Sequence, residues 1–248
     1  MDKIVVTGIY TENYRSMVEL QENTCLDDFI FDYRFISDDE WNRRKTSEQF
    51  AFLGGNTIKT QLVIDKIKEY FGSVIIVADA DLVFLKKVKK KIVKELADND
   101  MVFLRERLNF KKNPFPQAPA NVNIGFVVMR CNNNSLKYWE EVQTQVERTS
   151  GWDQEIANQI LLDEKCCIQY SLLSENFLNG NDISKDNVFQ QYICTSCGTV
   201  AKRNNLSKHE YLNKVIRIAR GKENIWFDGS KLKKRNGLNL LKHFIKRG

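Results

Sequence analysis

The stretch "VIIVADADLVFL", residues 74–85, decides how this chain is read. Val74 to Ala78 are apolar, largely β-branched and too few for a buried helix, so they predict a core strand. Asp79 stands at its end, Ala80 intervenes, Asp81 follows, and Leu82–Leu85 is apolar again. An aspartate after a strand is an ordinary turn former. Two carboxylates one residue apart between apolar segments are less ordinary, because they repel each other unless a proton or a cation intervenes. Mn²⁺ or Mg²⁺ would suit the pair: both favour carboxylate oxygen and keep positions open for phosphate oxygens.

Working outward, strand and helix alternate. "KIVVTG" (3–8) and "DDFIFDYRFI" (27–36) read as strands, and "NTIKTQLVIDKIKEYFG" (56–72) as a helix with Ile58, Leu62 and Ile67 inward, stopped at Gly72. "KKVKKKIVKELADND" (86–100) places Val88, Ile92, Val93 and Leu96 on one helical face. "MVFLR" (101–105) and "VNIGFVVMR" (122–130) are strands, the second with Gly125 where something approaches the backbone. "NSLKYWEEVQTQVER" (134–148) and "WDQEIANQILLDEK" (152–165) are helices. This order predicts an α/β layered fold with a mostly parallel central sheet flanked by helices. Ligands in such folds sit outside the carboxyl ends of the strands, where Asp79 and Asp81 fall. All three prolines lie in one long segment, and 107–121 is expected to be a mobile loop on the acceptor side of a site.

The 248 residues are 42% hydrophobic and 28% charged, enough for one sizeable core. The net charge of +6 is uneven. Residues 231–248 hold seven Lys or Arg and no acid, leaving 31 basic against 32 acidic residues elsewhere. That argues against a nucleic-acid-binding core. Leu238, Leu241, Phe244 and Ile245 form one stripe of this tail. It reads as a segment lying on an anionic membrane, a docked terminal helix or a linker. The division expected is a domain over 1–225 and a basic amphipathic tail over 226–248. No apolar run approaches the ~18 residues of a membrane helix, and the N-terminus lacks a signal-peptide pattern. Six cysteines do not make a disulfide scaffold at this length. The setting expected is cytoplasmic and reducing.

Two enzyme classes follow an apolar strand with D-x-D. In haloacid-dehalogenase-like phosphatases the motif ends the first strand and a later acidic pair is needed. Here it ends about the third, and Asp182 and Asp186 make a poor late pair. The spacing favours the other class. "NTIKTQLVIDKIKEYFGSVIIVADADLVFLKK" resembles the nucleotide-diphospho-sugar transferases of the GT-A fold: a helix carrying Lys-Thr, a strand, D-x-D, then an apolar stretch. "NVNIGFVVMR" (121–130) resembles that fold's Asn-x-Gly strand beside the donor sugar, and "WDQEIANQIL" (152–161) its Asp-Gln helix start. The trio is in order, and the resemblance covers roughly residues 1–220. The compactness is also similar to small glycosyltransferases encoded by large algal DNA viruses.

The resemblance implies a metal-dependent glycosyltransferase taking a nucleotide sugar, UDP-linked in preference to GDP-linked, to a glycan or glycoconjugate acceptor. Asp81 would ligate Mn²⁺ or Mg²⁺, with Asp79 close to the metal or the ribose and Ala80 beside the nucleotide. Gly8, Ile9 and Tyr10 would hold the base, and Arg15 and Lys59 would reach phosphate or ribose. Asn123, Gly125, Trp152 and Gln154 would stand beside the sugar. The family's third metal ligand, often His, points to His209, with Cys194 its rival. Ser207 and Glu210 form a capping box that puts His209 in a helix's first turn. Asp153 is either an ordinary helix cap or the base of an inverting transfer. A retaining enzyme would use Gln154 beside the sugar instead. Zinc held by Cys166, Cys167, Cys194 and Cys197 is a weaker reading, because only one C-x-x-C is present.

Overall fold

The computed structural model describes residues 3–43, 53–106, 122–164, 166–178, 190–195, 198–222, 225–228 and 231–234. The proline-containing segment 107–121, Asp182 and Asp186, Cys197 and the tail from 235 onward lie outside the described residues.

The strands are β1 (Val5–Tyr10), β2 (Ile30–Phe35), β3 (Val74–Ala78), β4 (Leu82–Phe84), β5 (Met101–Arg105), β6 (Val122–Arg130), β7 (Tyr170–Leu172), β8 (Phe177–Leu178), β9 (Ile193–Thr195), β10 (Ile225–Asp228) and β11 (Lys231–Lys234). The helices are α1 (Arg15–Thr24), α2 (Asp38–Arg43), α3 (Leu53–Glu69), α4 (Lys89–Leu96), α5 (Asn133–Thr149), α6 (Asp153–Leu161), α7 (Gly198–Arg203) and α8 (Lys208–Ala219). The central sheet has the order β2-β1-β3-β6-β5-β7. Three of its pairings, β1 with β2, β1 with β3 and β5 with β7, are parallel. β6 runs antiparallel to both of its neighbours. The sheet is therefore mostly parallel, as the alternation predicts.

Both faces of the sheet are covered, which is why its central strands read as continuous apolar runs rather than alternating ones. Side chains still alternate between faces. Val5, Ile75, Val77 and Val127 pack on one side with Val63 and Ile67 of α3, Trp139 and Val142 of α5, and Ala157 of α6. Val6, Ile76, Ala78 and Phe126 face the other side, against Ile92 and Leu96 of α4 and Leu82 and Phe84 of β4. The helical stripes hold: Ile58, Leu62 and Ile67 are buried, as are Val88, Ile92 and Leu96. Helix ends have local causes. Asn132 caps α5 by accepting from Ser135 N at 2.9 Å, a contact worth about 1 kcal/mol. Gly72 follows α3 with φ +87°, a left-handed conformation that glycine adopts without a Cβ clash.

Two features depart from the sequence reading. Leu82–Phe84 is not a mere apolar continuation after the carboxylates. It is β4, paired antiparallel with β9 in a second sheet of order β4-β9-β8. The Asp79–Ala80–Asp81 segment is thus the bridge between two sheets. Helix α1, with Met17, Val18 and Gln21 buried, has too short an apolar stripe to stand out in the sequence. At the other end, β10 and β11 pair as an antiparallel ribbon, so the segment read as a basic tail from 226 begins in a hairpin. No described helix is long and apolar enough to cross a membrane.

Candidate active site

The carboxyl ends of β1 and β3 lie side by side, with Thr7 registered against Val77. Beyond them opens a cleft of about 690 Å³, lined by Ile9, Tyr10, Tyr14, Trp41, Asp79, Ala80 and Asp81 among others. This is where an α/β sheet presents its ligand site. The predicted base-holding residues Ile9 and Tyr10 and the whole D-x-D segment therefore share one cavity. Gly8 lies beneath it, and its lack of a side chain is needed: a Cβ there would overlap the Ala78 carbonyl and come within 2.7 Å of Tyr33 Cε1.

Each D-x-D carboxylate carries a lysine. Lys59, from α3, donates to Asp79 Oδ1 at 2.7 Å and to the Ile124 carbonyl at 3.2 Å. Burial pulls the Lys59 ammonium toward neutrality, but the charges of Asp79 and Asp153 outweigh it and its pKa is raised. Lys208, at the start of α8, donates to Asp81 Oδ2 at 2.7 Å and to the Tyr14 hydroxyl at 3.1 Å. Burial again opposes its charge, and Asp81 again overrides it, holding Lys208 above the ordinary lysine range. The Lys208 ammonium also lies 5.1 Å from the centre of the Tyr14 ring, within cation–π range.

β6 and α6 close the far side. Asp79 N donates to the Gly125 carbonyl at 2.8 Å, and Gly125 N donates to Asn123 Oδ1 at 2.7 Å. A Cβ on Gly125 would stand 2.6 Å from Asp79 Oδ2, so this glycine makes room for the carboxylate. Asn123 and Gln154 both donate to Glu106 Oε2, at 2.5 and 3.4 Å, and Gln154 Oε1 accepts from Ile124 N at 3.4 Å. Asp153 opens α6 with its Oδ1 accepting from Gln154 N at 2.9 Å. It is buried, and that desolvation raises its pKa against the opposing pull of Lys59. Trp152, just before it, is 43% exposed.

The remaining expectations fare differently. Arg15 is engaged elsewhere: it forks onto Glu12 through two 2.8 Å hydrogen bonds and lies over the Tyr10 and Phe35 rings. His209 takes part in the predicted capping-box turn, with Glu210 N donating to Ser207 Oγ at 3.1 Å. Its ring stands beside Asn213, and it is the neighbouring Lys208 that reaches Asp81. Among the described residues no three His, Cys, Asp or Glu side chains are gathered as a metal site. Cys194 is buried in β9 beside Val83 of β4, whereas Cys166 and Cys167 line a separate groove between α5 and α6.

The donor set still fits a hard divalent ion. Asp79 and Asp81 supply two carboxylates at one cleft, and the lysine ammonium groups already stand against them as cations. Such ions are commonly bound through one or two carboxylates, with water and substrate phosphate completing the shell.

Sequence reasoning missed Lys208, Tyr14, Tyr33, Glu106 and Gln21. Gln21 is an amide on the buried side of a helix whose apolar stripe is too short to stand out in the sequence. The others carry no local pattern.

Residues 63–206 match the nucleotide-diphospho-sugar transferase family model. The chain belongs to that family and is a glycosyltransferase. No curated protein sequence matches it. Among solved structures, a glycosyltransferase involved in the glycosylation of the major capsid of PBCV-1 superposes with a TM-score of 0.56 at 15% identity, over 86% of this chain and 100% of that one. The galactosyltransferase LgtC, in complex with donor and acceptor sugar analogs, gives 0.57 at 11% identity, over 88% and 100%. GlyE of Streptococcus pneumoniae TIGR4 gives 0.52 at 13%, over 99% of this chain and 64% of its own. These likenesses establish a shared GT-A fold.

Proposed function

We propose that this chain is a divalent-metal-dependent glycosyltransferase that moves a sugar from a UDP-sugar to a glycan or glycoconjugate acceptor with inversion. What carries the reading is the pair Asp79 and Asp81 at the carboxyl end of β3, inside the cleft that also holds Tyr10. When bound there, Mn²⁺ or Mg²⁺ would neutralise the departing diphosphate as a Lewis acid. Ile9 and Tyr10 hold the base, with Gly8 beneath them. Lys59 directs Asp79 through their ion pair, and Lys208 supplies a second positive charge for phosphate. Asn123, Gly125 and Gln154 shape the sugar side, with Trp152 as an exposed aromatic platform.

Asp153 is the base in this reading. It takes the acceptor hydroxyl proton, and its burial makes it a stronger base than an exposed aspartate. A retaining transfer is the second reading. It is favoured by the Asp153 carboxylate being turned onto the Gln154 N–H, while the Gln154 amide reaches across to Glu106. His209 remains the proposed third ligand, which requires the first turn of α8 to bring its ring to the cleft. We assign residues 1–225 to the catalytic domain and the basic tail 226–248 to peripheral contact with an anionic membrane, in a cytoplasmic setting.

The test is calorimetry with a panel of UDP- and GDP-sugars, with and without Mn²⁺, on the native protein and on Asp81→Ala. Metal-dependent binding of a UDP-sugar, lost in Asp81→Ala, is expected. Undiminished binding in the variant would remove the metal assignment. Binding without donor hydrolysis or transfer to any glycan would leave a silent nucleotide-sugar-binding protein.

A further inference from the structure

The bridge from β3 to β4 carries both carboxylates. At its start Asp79 N donates to the Gly125 carbonyl of β6 at 2.8 Å, and further support comes from α1. Gln21 is fully buried, and its Nε2 donates to the carbonyls of Asp79 and Leu82, both at 3.2 Å. Those two carbonyls bracket Ala80 and Asp81. The other end of the amide is fixed in turn: Gln21 Oε1 accepts from the Tyr33 hydroxyl at 2.5 Å, and that hydroxyl also lies 3.1 Å from the Ala78 carbonyl. Tyr33 stands on β2, and its ring occupies the space that Gly8 leaves open.

A buried amide is expensive unless its hydrogen bonds are met. An apolar side chain of equal length would pack as well beside Met17 and Val18. What an apolar residue cannot do is hold two carbonyls on opposite sides of Asp81 while being held itself by a third strand. We propose that Gln21, set by Tyr33, is the positioning residue of the D-x-D bridge: it fixes the peptide planes 79–80 and 82–83 that bracket Ala80–Leu82, and so the direction in which both carboxylates meet their cation. This rests on the reading of Asp79 and Asp81 as the metal-binding pair. Gln21 touches neither metal nor donor, and it acts through the backbone of the bridge.

The discriminating experiment titrates Mn²⁺ into the protein with UDP present, reading free Mn²⁺ by electron paramagnetic resonance. Each titration gives a dissociation constant and a number of sites. Gln21→Met keeps the bulk and removes the amide. Its Mn²⁺ dissociation constant should rise tenfold or more while the number of sites per chain stays near the native value. A role in folding alone would do the reverse, lowering the number of sites among molecules that keep native affinity, and that result would overturn the proposal. If Gln21→Met does not fold, Tyr33→Phe decides. It removes one hydroxyl, and its dissociation constant should rise about threefold to tenfold. A native value there would overturn the brace equally. Native protein that takes up no Mn²⁺ in the presence of UDP would overturn the metal-site reading and the brace with it. Native uptake with unchanged variants would overturn the brace alone.

Discussion

Lys208 reaches back across 127 residues of chain to put its ammonium 2.7 Å from Asp81 Oδ2. A cation in that position opposes any metal that needs the same oxygen. Asp81 is mostly shielded from solvent and Lys208 about one-third exposed, so the interaction is screened but not abolished. Lys208→Met should therefore tighten Mn²⁺ binding in the absence of nucleotide, by about tenfold or less, equivalent to about 1.4 kcal/mol. The same variant should weaken UDP binding when metal is saturating, because a positive charge beside phosphate is lost. Calorimetry under the two conditions gives both numbers. Equal shifts in one direction would mean that the lysine does not exchange partners.

Asp153→Asn separates chemistry from binding. Asparagine can still accept from Gln154 N, so the start of α6 is kept. Turnover should fall by about 10²–10⁴, the range for a lost general base, with donor affinity unchanged. Product anomeric configuration, read by NMR on the native enzyme, should be inverted. A retained configuration would move the role to Gln154.

The same residue predicts a pH effect. Burial raises the folded-state pKa of Asp153 above its unfolded value. The folded state thus binds a proton more tightly than the unfolded state, and the resulting stabilisation is full below the unfolded pKa and lost as pH rises through the folded one. Above the folded pKa, ionised Asp153 is destabilising relative to its protonated form. Asp153→Asn should not lower the thermal midpoint at pH 7, and its advantage over the native protein should shrink as pH falls toward the ordinary aspartate range. A midpoint that drops at pH 7 would show that the charge is stabilised in place.

Gly125→Ala tests the room left for Asp79. The added Cβ would meet Asp79 Oδ2 at 2.6 Å and Asn123 Oδ1 at 2.8 Å. Asp79 is partly exposed and can swing away, which would cost its ion pair with Lys59 more than it costs the fold. Donor affinity in the presence of Mn²⁺ should fall tenfold or more, with a loss of about 1–3 kcal/mol in urea unfolding, as for other overpacked sites. Native affinity would mean that Asp79 does not need its present position.

Phe126, the next residue, joins the two sheets. It is fully buried, lies 6.4 Å from the Phe84 ring edge to face and 6.2 Å from Phe177 in a stacked arrangement. Phe126→Ala should cost about 3–5 kcal/mol, measured by urea denaturation. A loss under 1 kcal/mol would mean that the second sheet holds without it.

The sequence alone carried five of the six strands of the central sheet and put Asp79 and Asp81 at a strand end. Val74–Ala78 and Val122–Arg130 match the predicted strands because their apolar runs are long and bounded by polar residues. Asp79 and Asp81 were legible because two charges between apolar segments need a reason, and a sheet delivers whatever ends its parallel strands to one edge. Gly125 and the Asp-Gln start of α6 were legible through ordered motifs. What surrounds the carboxylates was decided only in three dimensions. Lys208 is an ordinary surface lysine in sequence until α8 packs through Leu212 and Val215 beside Val83 and Leu85. Gln21 is one amide in a short polar helix until the D-x-D bridge closes over it. Arg15 matched the expectation of a phosphate-binding cation by type, but Glu12 lies one helical turn away and takes its guanidinium. Patterns of burial repeat along the chain at the period of each element and can be read there. The partners of a charge are chosen by packing between segments far apart in sequence, and no local period records that choice.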